Sequence, residues 1–249
     1  MPILAIIGGL IVGSFFSVLV SRLDKKSGIV SGRSECPKCS AVLKWYDLIP
    51  ILSFVFLRGK CGYCHEKISL VYPAIELTTA AAFFLFYIKR PLPWDIFAAY
   101  DLILLGAFVL IIFFDYLFYI IPDEVVLPLI VLSICFGFFY RNHEFINLLT
   151  SGLLLGGFFA ILHIVSKGEW VGFGDAKLSL LIGLAFGYPS SFLITVSSVW
   201  TATLLGLLLI AIRKATLKSA LPFGLFLALF SIIFIIFKDE TQIFKYLFY

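Results

Sequence analysis

An all-α bundle of membrane-spanning helices is the fold class that this sequence predicts, and three observations support the prediction. Hydrophobic residues make up 61% of the 249 residues, and charged residues make up only 14%. The mean hydropathy is +1.08, which is far above that of a soluble domain. Several segments contain the roughly 20 mostly apolar residues that a helix needs to cross a bilayer. The sequence therefore predicts a polytopic membrane protein rather than a soluble enzyme or a nucleic-acid-binding protein.

Hydropathy predicts about eight membrane spans. The first lacks a basic amino-terminal region and a small-residue cleavage site, so it is interpreted as a retained helix and not as a signal peptide. The sixth is short and rich in glycine, which is compatible with a tilted or only partly embedded helix. The predicted spans are residues 3–20, 72–88, 95–114, 123–140, 146–165, 175–188, 191–212 and 219–237.

Lysine and arginine residues predict the orientation of these spans. The loop that follows the first span, residues 21–71, carries nine of them. If this loop is cytoplasmic, eight spans place 14 of the 19 basic residues inside and five outside, as the positive-inside rule requires. Both termini are then expected to face outward. The prediction is a multi-pass membrane protein with this loop on the cytoplasmic side.

The loop of residues 21–71 is the only polar block large enough to form a small domain, but it is too short to be stabilised by a hydrophobic core alone. Two CxxC pairs lie in it, Cys36/Cys39 and Cys61/Cys64, with 21 residues between the pairs. Four converging thiolates form the tetrahedron that structural Zn²⁺ accepts. Two disulfides are the competing interpretation, which a cytosolic location disfavours. A redox dithiol is a third interpretation, although neither pair lies in a strand–turn–helix context.

Two aspartates at the ends of predicted spans are the candidate catalytic residues. Asp115 follows the third span, and Asp175 begins the sixth, within the sequence Gly172-Phe173-Gly174-Asp175. The topology places both at the same level on the cytoplasmic side. Two neighbouring carboxyl groups cannot both ionise easily, so one can act as a general base and the other as a general acid. The alternative for each is a structural aspartate that faces headgroups or a nearby lysine, which for Asp175 would be Lys177.

Other acidic residues have simpler interpretations. Asp123 and Glu124 follow Pro122 at the expected first turn of the fourth span, where acidic residues offset the helix dipole. Glu76, one turn inside the second span, and Glu169, in the loop before Asp175, are candidates for lining a polar cleft, together with Asp123, Gly172 and Gly174. His163 is expected to have a packing or hydrogen-bonding role.

Taken together, these motifs resemble the type IV prepilin peptidases. Gly172-Phe173-Gly174-Asp175 fits the GxGD signature of membrane aspartyl proteases, and Asp115 lies eight residues before the Asp of Pro122-Asp123, as in the first catalytic motif of that family. The resemblance covers about residues 8–180. Other motifs occur in family order, namely Gly13-Ser14-Phe15-Phe16-Ser17-Val18, Arg22-Leu23, the two CxxC pairs, Arg58-Gly59-Lys60-Cys61 and Tyr72-Pro73-Ala74-Ile75-Glu76.

The resemblance implies an aspartic endopeptidase, with Asp115 and Asp175 as its catalytic pair, that removes the leader of type IV prepilins or pseudopilins at the cytoplasmic membrane face. Members with the CxxC loop usually also methylate the new amino terminus with S-adenosylmethionine. Arg58, Gly59 and Lys60, beside the expected structural zinc, are our candidates for supporting that reaction. The implied organisation is a first helix at 1–20, a methyltransferase-associated loop at 21–71 and a peptidase bundle at 72–249. No nucleic-acid partner is expected.

Three other functions stay open at this point. A peptidase without methyltransferase activity is the nearest alternative. A cation-coupled transporter would instead place its carboxylates near the bilayer midplane, in two related halves. A non-catalytic assembly scaffold would use the cysteine loop for docking, but it leaves the placement of Asp115 and Asp175 unexplained.

Overall fold

Helices form nearly all of the regular structure in the described part of the chain. The computed structural model describes residues 2–22, 34–36, 38–91, 93–216 and 219–237. Within them, pairing between extended segments is limited to two isolated antiparallel bridges, Glu35 with Val42 and Lys60 with Lys67. The α-helices are α1 (Pro2–Arg22), α2 (Leu52–Phe56), α3 (Val71–Lys89), α4 (Ile96–Phe118), α5 (Asp123–Tyr140), α6 (Phe145–Val165), α7 (Phe173–Phe186), α8 (Ser190–Ala211) and α9 (Phe223–Ile236). The all-α prediction is confirmed.

The predicted spans correspond one to one with helices. Six of these helices are long and apolar enough to cross a membrane: α1, α3, α4, α5, α6 and α8. The other two, α7 and α9, have only 14 residues each. At 1.5 Å per residue each is about 21 Å long, which is less than the hydrocarbon core of a bilayer. The chain is therefore a multi-pass membrane protein whose described residues include six candidate spans, the short apolar helix α9 and the equally short helix α7.

The chain divides into two compact units, residues 1–110 and 111–249. The boundary falls inside α4, whereas the boundaries predicted from the sequence fell at 20/21 and 71/72. The first unit contains the cysteine loop and α1 to α3. The second contains the last two turns of α4 and all later helices.

Glycines bring helices unusually close in both units. In the first unit, a Cβ on Gly9 would lie 2.6 Å from the Cα of Ala80, and one on Gly13 would lie 2.7 Å from the Cα of Glu76, so α1 and α3 touch backbone to backbone. In the second, a Cβ on Gly183 of α7 would lie 2.4 Å from the Cα of Gly152 on α6. Small residues at i and i+4 allow this packing between membrane helices, where lipid offers no hydrophobic driving force.

Candidate active site

Asp115 lies in the last turn of α4, where its side chain is only 5% exposed. The sequence placed it just beyond a span ending at 114, but the helix continues to Phe118. Tyr119 then takes a left-handed conformation, with φ at 55°, and ends the helix by donating its N–H to the carbonyl of Asp115. The Oδ2 atom of Asp115 accepts a hydrogen bond of 2.7 Å from the backbone N–H of Leu225. A buried carboxyl group is thus held by the first turn of α9.

Asp175 is the third residue of α7, in the first turn of that helix. Gly172 is the N-cap of α7, and its N–H donates to Oδ2 of Asp175 over 3.1 Å. The Asp175 side chain therefore folds back over the start of its own helix, where the helix dipole favours negative charge. It is half-buried.

The side chain of Ile121 joins these two sites. A Cβ on Gly174, next to Asp175, would lie 3.0 Å from the Cβ of Ile121. A Cβ on Gly224 would lie 2.7 Å from the Cδ1 of Ile121 and 3.1 Å from the Oδ2 of Asp115. The starts of α7 and α9 thus pack on the same isoleucine because both carry glycine there. The two carboxyl groups are close enough for the charge of Asp115 to act on Asp175.

Lys177 does not neutralise Asp175. Its ammonium group forms an ion pair with Asp123 and lies 5.3 Å from the ring centre of Phe173. As expected, Asp123 is the first residue of α5 and Pro122 is its N-cap. The ion pair ties the start of α5 to the start of α7, so the structural alternative for Asp175, a pair with Lys177, is not the observed arrangement.

The loop before α7 is stabilised by His163. The Nδ1 atom of His163 lies 2.8 Å from the carbonyl oxygen of Val171, and since a carbonyl can only accept, Nδ1 carries the proton and donates. The imidazole also packs on the ring of Phe173, with 5.5 Å between ring centres. The hydrogen-bonding role expected for His163 is confirmed. Glu169 lies exposed in the same loop, and its N–H donates to the carbonyl of Ser166.

Glu76 is engaged within the first unit. It is the sixth residue of α3, it is 8% exposed, and its Oε2 accepts a 2.8 Å hydrogen bond from the backbone N–H of Ile51. Ile51 has a φ of 59°, which is costly for a β-branched residue and is stabilised here by that hydrogen bond. Glu76 thus fastens the cysteine loop to α3.

The four paired cysteines converge. Their sulfur atoms all lie within 4.8 Å of one another, and the sulfurs of Cys36 and Cys64 are 4.0 Å apart. Zn–S bonds of about 2.3 Å in a tetrahedron separate the sulfurs by about 3.8 Å, so the cluster has the dimensions of a metal site. All four are free thiols, in contrast to the disulfide alternative. Pro37, inside the first pair, lies outside the described residues.

Each CxxC pair lies in the same kind of hairpin turn. Cys36 and Cys61 donate their N–H groups to the carbonyls of Ala41 and Glu66, five residues on in each case. The residue after each second cysteine, Ser40 or His65, has a φ near 57°. Burial alone would raise the pKa of the Cys36 thiol, but hydrogen bonds from the backbone of Cys39 and Lys38 lower it to about 7. Such hydrogen bonds favour the thiolate, which is the form that binds metal.

The three residues before Cys61 form a tight turn. Arg58 and Gly59 both have positive φ, at 51° and 69°, and a Cβ on Gly59 would lie 3.1 Å from the ring of Phe54. Arg58 and Lys60 are exposed. The cluster is thus bordered by two basic side chains on a rigid turn.

The sequence predicted the two aspartates, but not the part of the site that α9 contributes. Gly224 and Leu225 act through a missing side chain and a backbone N–H, and neither belongs to a recognisable motif. The only sequence signal nearby is Pro222, which marks the start of a helix. Chemically, paired carboxyl groups at a membrane boundary can activate water, and a four-thiol cluster can bind a metal ion.

Two family models match the chain. The type IV leader peptidase family matches residues 102–237, and the bacterial peptidase A24 N-terminal domain matches residues 7–90. No solved structure matches the chain.

Several curated proteins are similar to this chain over most of their length. Three of them share the name prepilin leader peptidase/N-methyltransferase. The protein from Bacillus subtilis is 31% identical over 93% of this chain and 92% of its own length. The protein from Vibrio cholerae is 34% identical over 74% of this chain and 77% of its own length. The protein from Pseudomonas aeruginosa is 28% identical over 93% and 89%.

Proposed function

The chain belongs to the type IV leader peptidase family, and from this premise we propose that it is a membrane aspartyl endopeptidase that removes the leader of type IV prepilins or pseudopilins. The catalytic residues are Asp115 and Asp175. The observation that carries this assignment is the convergence of two carboxyl groups from different helices, each with one backbone hydrogen bond and neither paired with a cation among the described residues.

The proposed chemistry uses the pair as acid and base. The ionised carboxylate removes a proton from water as the water oxygen bonds to the carbonyl carbon of the scissile peptide. The protonated partner donates a hydrogen bond to the carbonyl oxygen. The amide nitrogen then takes up a proton as the C–N bond breaks, and the pair returns to one shared proton. The backbone N–H groups of Leu225 and Gly172 hold each carboxyl group in place, so the pair reacts without rearrangement.

The assignment is tested by cleavage of a prepilin with a basic leader in lipid vesicles. Asp115→Asn and Asp175→Asn keep the shape and one hydrogen-bond acceptor but remove the charge. Each is expected to lower the cleavage rate by at least about 10³-fold, since both members of an acid–base pair are needed. Asp95→Asn is the matched control, because Asp95 caps α4 through the N–H of Ala98 and asparagine also caps well.

Cleavage by Asp95→Asn at the wild-type rate, with no cleavage by the other two variants, would support the pair. Wild-type cleavage by Asp115→Asn or Asp175→Asn would remove that residue from the chemistry.

The proposed second activity is methylation of the new amino terminus, with S-adenosylmethionine as methyl donor. The names of the relatives and the match to residues 7–90 support it. Arg58, Gly59 and Lys60 are the residues we assign to this activity, since they border the cysteine cluster on a rigid turn. A peptidase without this activity is the alternative.

Zn²⁺ is the metal we propose for the cysteine cluster. The dimensions of the cluster and its all-thiol composition fit a structural site. Bound zinc would stabilise residues 21–71, which we propose as the methyltransferase-associated loop between a first helix at 1–20 and a peptidase bundle at 72–249.

The proposed location is the bacterial inner membrane, with the cysteine loop and the aspartate pair on the cytosolic side. The charge distribution supports this orientation. Six of the basic residues that determine it lie outside the described residues, namely Lys25, Lys26, Arg33, Lys218, Lys238 and Lys245. Leu23 of the Arg22-Leu23 motif also lies outside them.

A further inference from the structure

The short segment Trp45–Phe56 exposes more apolar side chain than a water-facing loop tolerates. It consists of a 3₁₀ turn, Trp45–Leu48, and the helix α2. Four side chains are largely uncovered: Trp45 at 78%, Phe56 at 82%, Val55 at 62% and Leu52 at 54%. Such a set concentrated in 12 residues indicates an interaction surface.

Contacts with α1 and α3 place this segment beside the membrane helices, inward of their ends. The hydroxyl of Ser14 donates to the carbonyl of Leu48 over 3.4 Å, and the N–H of Ile51 donates to Glu76 over 2.8 Å. Ser14 is eight residues before the end of α1, which is about 12 Å along the helix, and Glu76 is five residues after the start of α3, which is about 8 Å.

These depths can be compared with the bilayer. Helices α1 and α3 have 21 and 19 residues, or about 31 and 28 Å, and so match a hydrocarbon core of about 30 Å. The ends of both helices therefore lie near the boundary of that core. A segment that contacts them about 8 to 12 Å further in is at the depth of the lipid acyl chains next to the headgroups.

The charges at the two ends of the segment fit the same environment. Lys44 precedes it, and Arg58 and Lys60 follow it; all three are exposed. Basic side chains on either side of an apolar helix bind anionic headgroups while the apolar side chains enter the acyl region. Leu70, the residue before α3, is 73% exposed and continues the apolar surface to the start of that membrane helix.

We propose that Trp45–Phe56 is a re-entrant interfacial segment whose partner is the lipid bilayer, with Trp45, Leu52, Val55 and Phe56 inserted among the acyl chains. The strained backbone of Ile51 and its hydrogen bond to Glu76 hold the segment at that depth. The cysteine loop is thereby fixed to the membrane surface between its two tethering helices. This inference depends on the membrane helices alone and is independent of the peptidase assignment.

Lipid-specific fluorescence quenching tests the proposal in the full chain. Trp94, Trp170 and Trp200 are replaced by Phe, and the protein is reconstituted in vesicles of brominated phosphatidylcholine and phosphatidylglycerol. A second variant keeps only Trp200, which is 66% exposed on the membrane helix α8. We expect brominated lipid to quench Trp45 in the first variant about as strongly as Trp200 in the second. A tryptophan introduced by Glu66→Trp, at an exposed position in the second CxxC turn, is expected to be quenched by aqueous acrylamide instead.

Two results would overturn the proposal. Quenching of Trp45 by acrylamide and not by brominated lipid would place the segment in water. Protection of Trp45 from both quenchers would mean that a protein surface, such as a second copy or a substrate helix, covers it. Because the triple variant can lose its fold, a single Phe56→p-benzoylphenylalanine variant provides a second measurement. Photolysis in native membranes should yield lipid adducts by mass spectrometry, and a crosslinked protein would again contradict the proposal.

Discussion

At the scale of single residues, the two aspartates depend on backbone groups of other segments. Asp115 accepts from Leu225, 110 residues later, and Asp175 accepts from Gly172, three residues earlier. The N–H of Leu225 is one of the first-turn groups of α9 that have no partner within the helix, so it is free to donate to a carboxylate. The first turn of α9 therefore forms part of the candidate site through the N–H of Leu225.

Leu225→Pro is expected to impair cleavage without breaking α9. Proline is tolerated in the first turn, where no intrahelical hydrogen bond is lost, but it removes the N–H that binds Asp115. A hydrogen bond to a charged group contributes about 1.5–3 kcal/mol, so cleavage should fall by about 10- to 150-fold. The rate of prepilin cleavage in vesicles measures the effect.

Leu225→Ala is the matched control for this experiment, since it shortens the same side chain and keeps the N–H. If the alanine variant lost as much activity as the proline variant, the leucine side chain and not the hydrogen bond would be responsible.

This contact marks the limit of what the sequence could predict about the site. Asp115 and Asp175 could be predicted from the sequence because a charged side chain at the end of a span is rare and costly. Gly224 and Leu225 could not, because a backbone donor leaves no signature in the residue type. The pairing of Lys177 with Asp123, 54 residues apart, also requires the three-dimensional structure.

At the scale of elements, the position of α7 determines the position of Asp175, and close contacts at glycines of α6 fix α7. Gly152 and Gly156 of α6 face Gly183 and Leu180 of α7 at distances that leave no space for a further methyl group. At the far end of α7, the guanidinium of Arg141 donates to the carbonyl of Ala185 over 2.8 Å. Both ends of α7 are therefore fixed, and Asp175 with them.

Gly183→Ala is expected to destabilise the second unit. The new Cβ would lie 2.4 Å from backbone atoms of Gly152, which cannot move aside as a flexible side chain can. Overpacking of this kind costs about 1–3 kcal/mol, and this backbone contact should be at the upper end of that range. Unfolding in detergent, followed by circular dichroism, measures the change in stability.

Gly157→Ala provides the comparison, because a Cβ at Gly157 would meet nothing within 4 Å. It lies on the same helix as Gly152, so it controls for helix propensity. Equal stability of the two variants would mean that the close approach of α6 and α7 does not contribute as described.

At the scale of the whole molecule, the order of the helices followed from hydropathy, but six of the described helices, and not eight, are long and apolar enough to cross a membrane. Helix α7, at Phe173–Phe186, has the 14 residues of the span predicted at 175–188 but begins two residues earlier. Helix α9, at Phe223–Ile236, has 14 residues where the sequence predicted a span of 19 at 219–237. The early start of α7 comes from its Gly172 cap, and the late start of α9 comes from Pro222. Local capping, rather than apolar composition, determines these ends.

The separation of the cysteine cluster and the aspartate pair into different units predicts separable activities. Cys36→Ser leaves three thiols in the cluster and should release the metal. The methylation rate is then expected to fall at least about tenfold, and the cleavage rate is expected to fall less. Zinc content, measured by inductively coupled plasma mass spectrometry, should fall in parallel from about one ion per chain. Cys135→Ser is the control, since Cys135 lies on α5 outside the cluster.

Unchanged zinc content in Cys36→Ser would contradict the four-thiol site. Loss of cleavage with intact methylation would contradict the assignment of the loop to methylation.

The two 14-residue helices have a consequence for the surrounding lipid. Both begin beside the aspartate pair, and each is about 9 Å shorter than the hydrocarbon core is thick. This hydrophobic mismatch is relieved when the bilayer thins around them, which lowers the headgroups and their water towards the carboxyl groups. If the pair catalyses hydrolysis as proposed, bulk water would reach it without a dedicated channel, and the acyl-chain length of the host membrane would affect the cleavage rate.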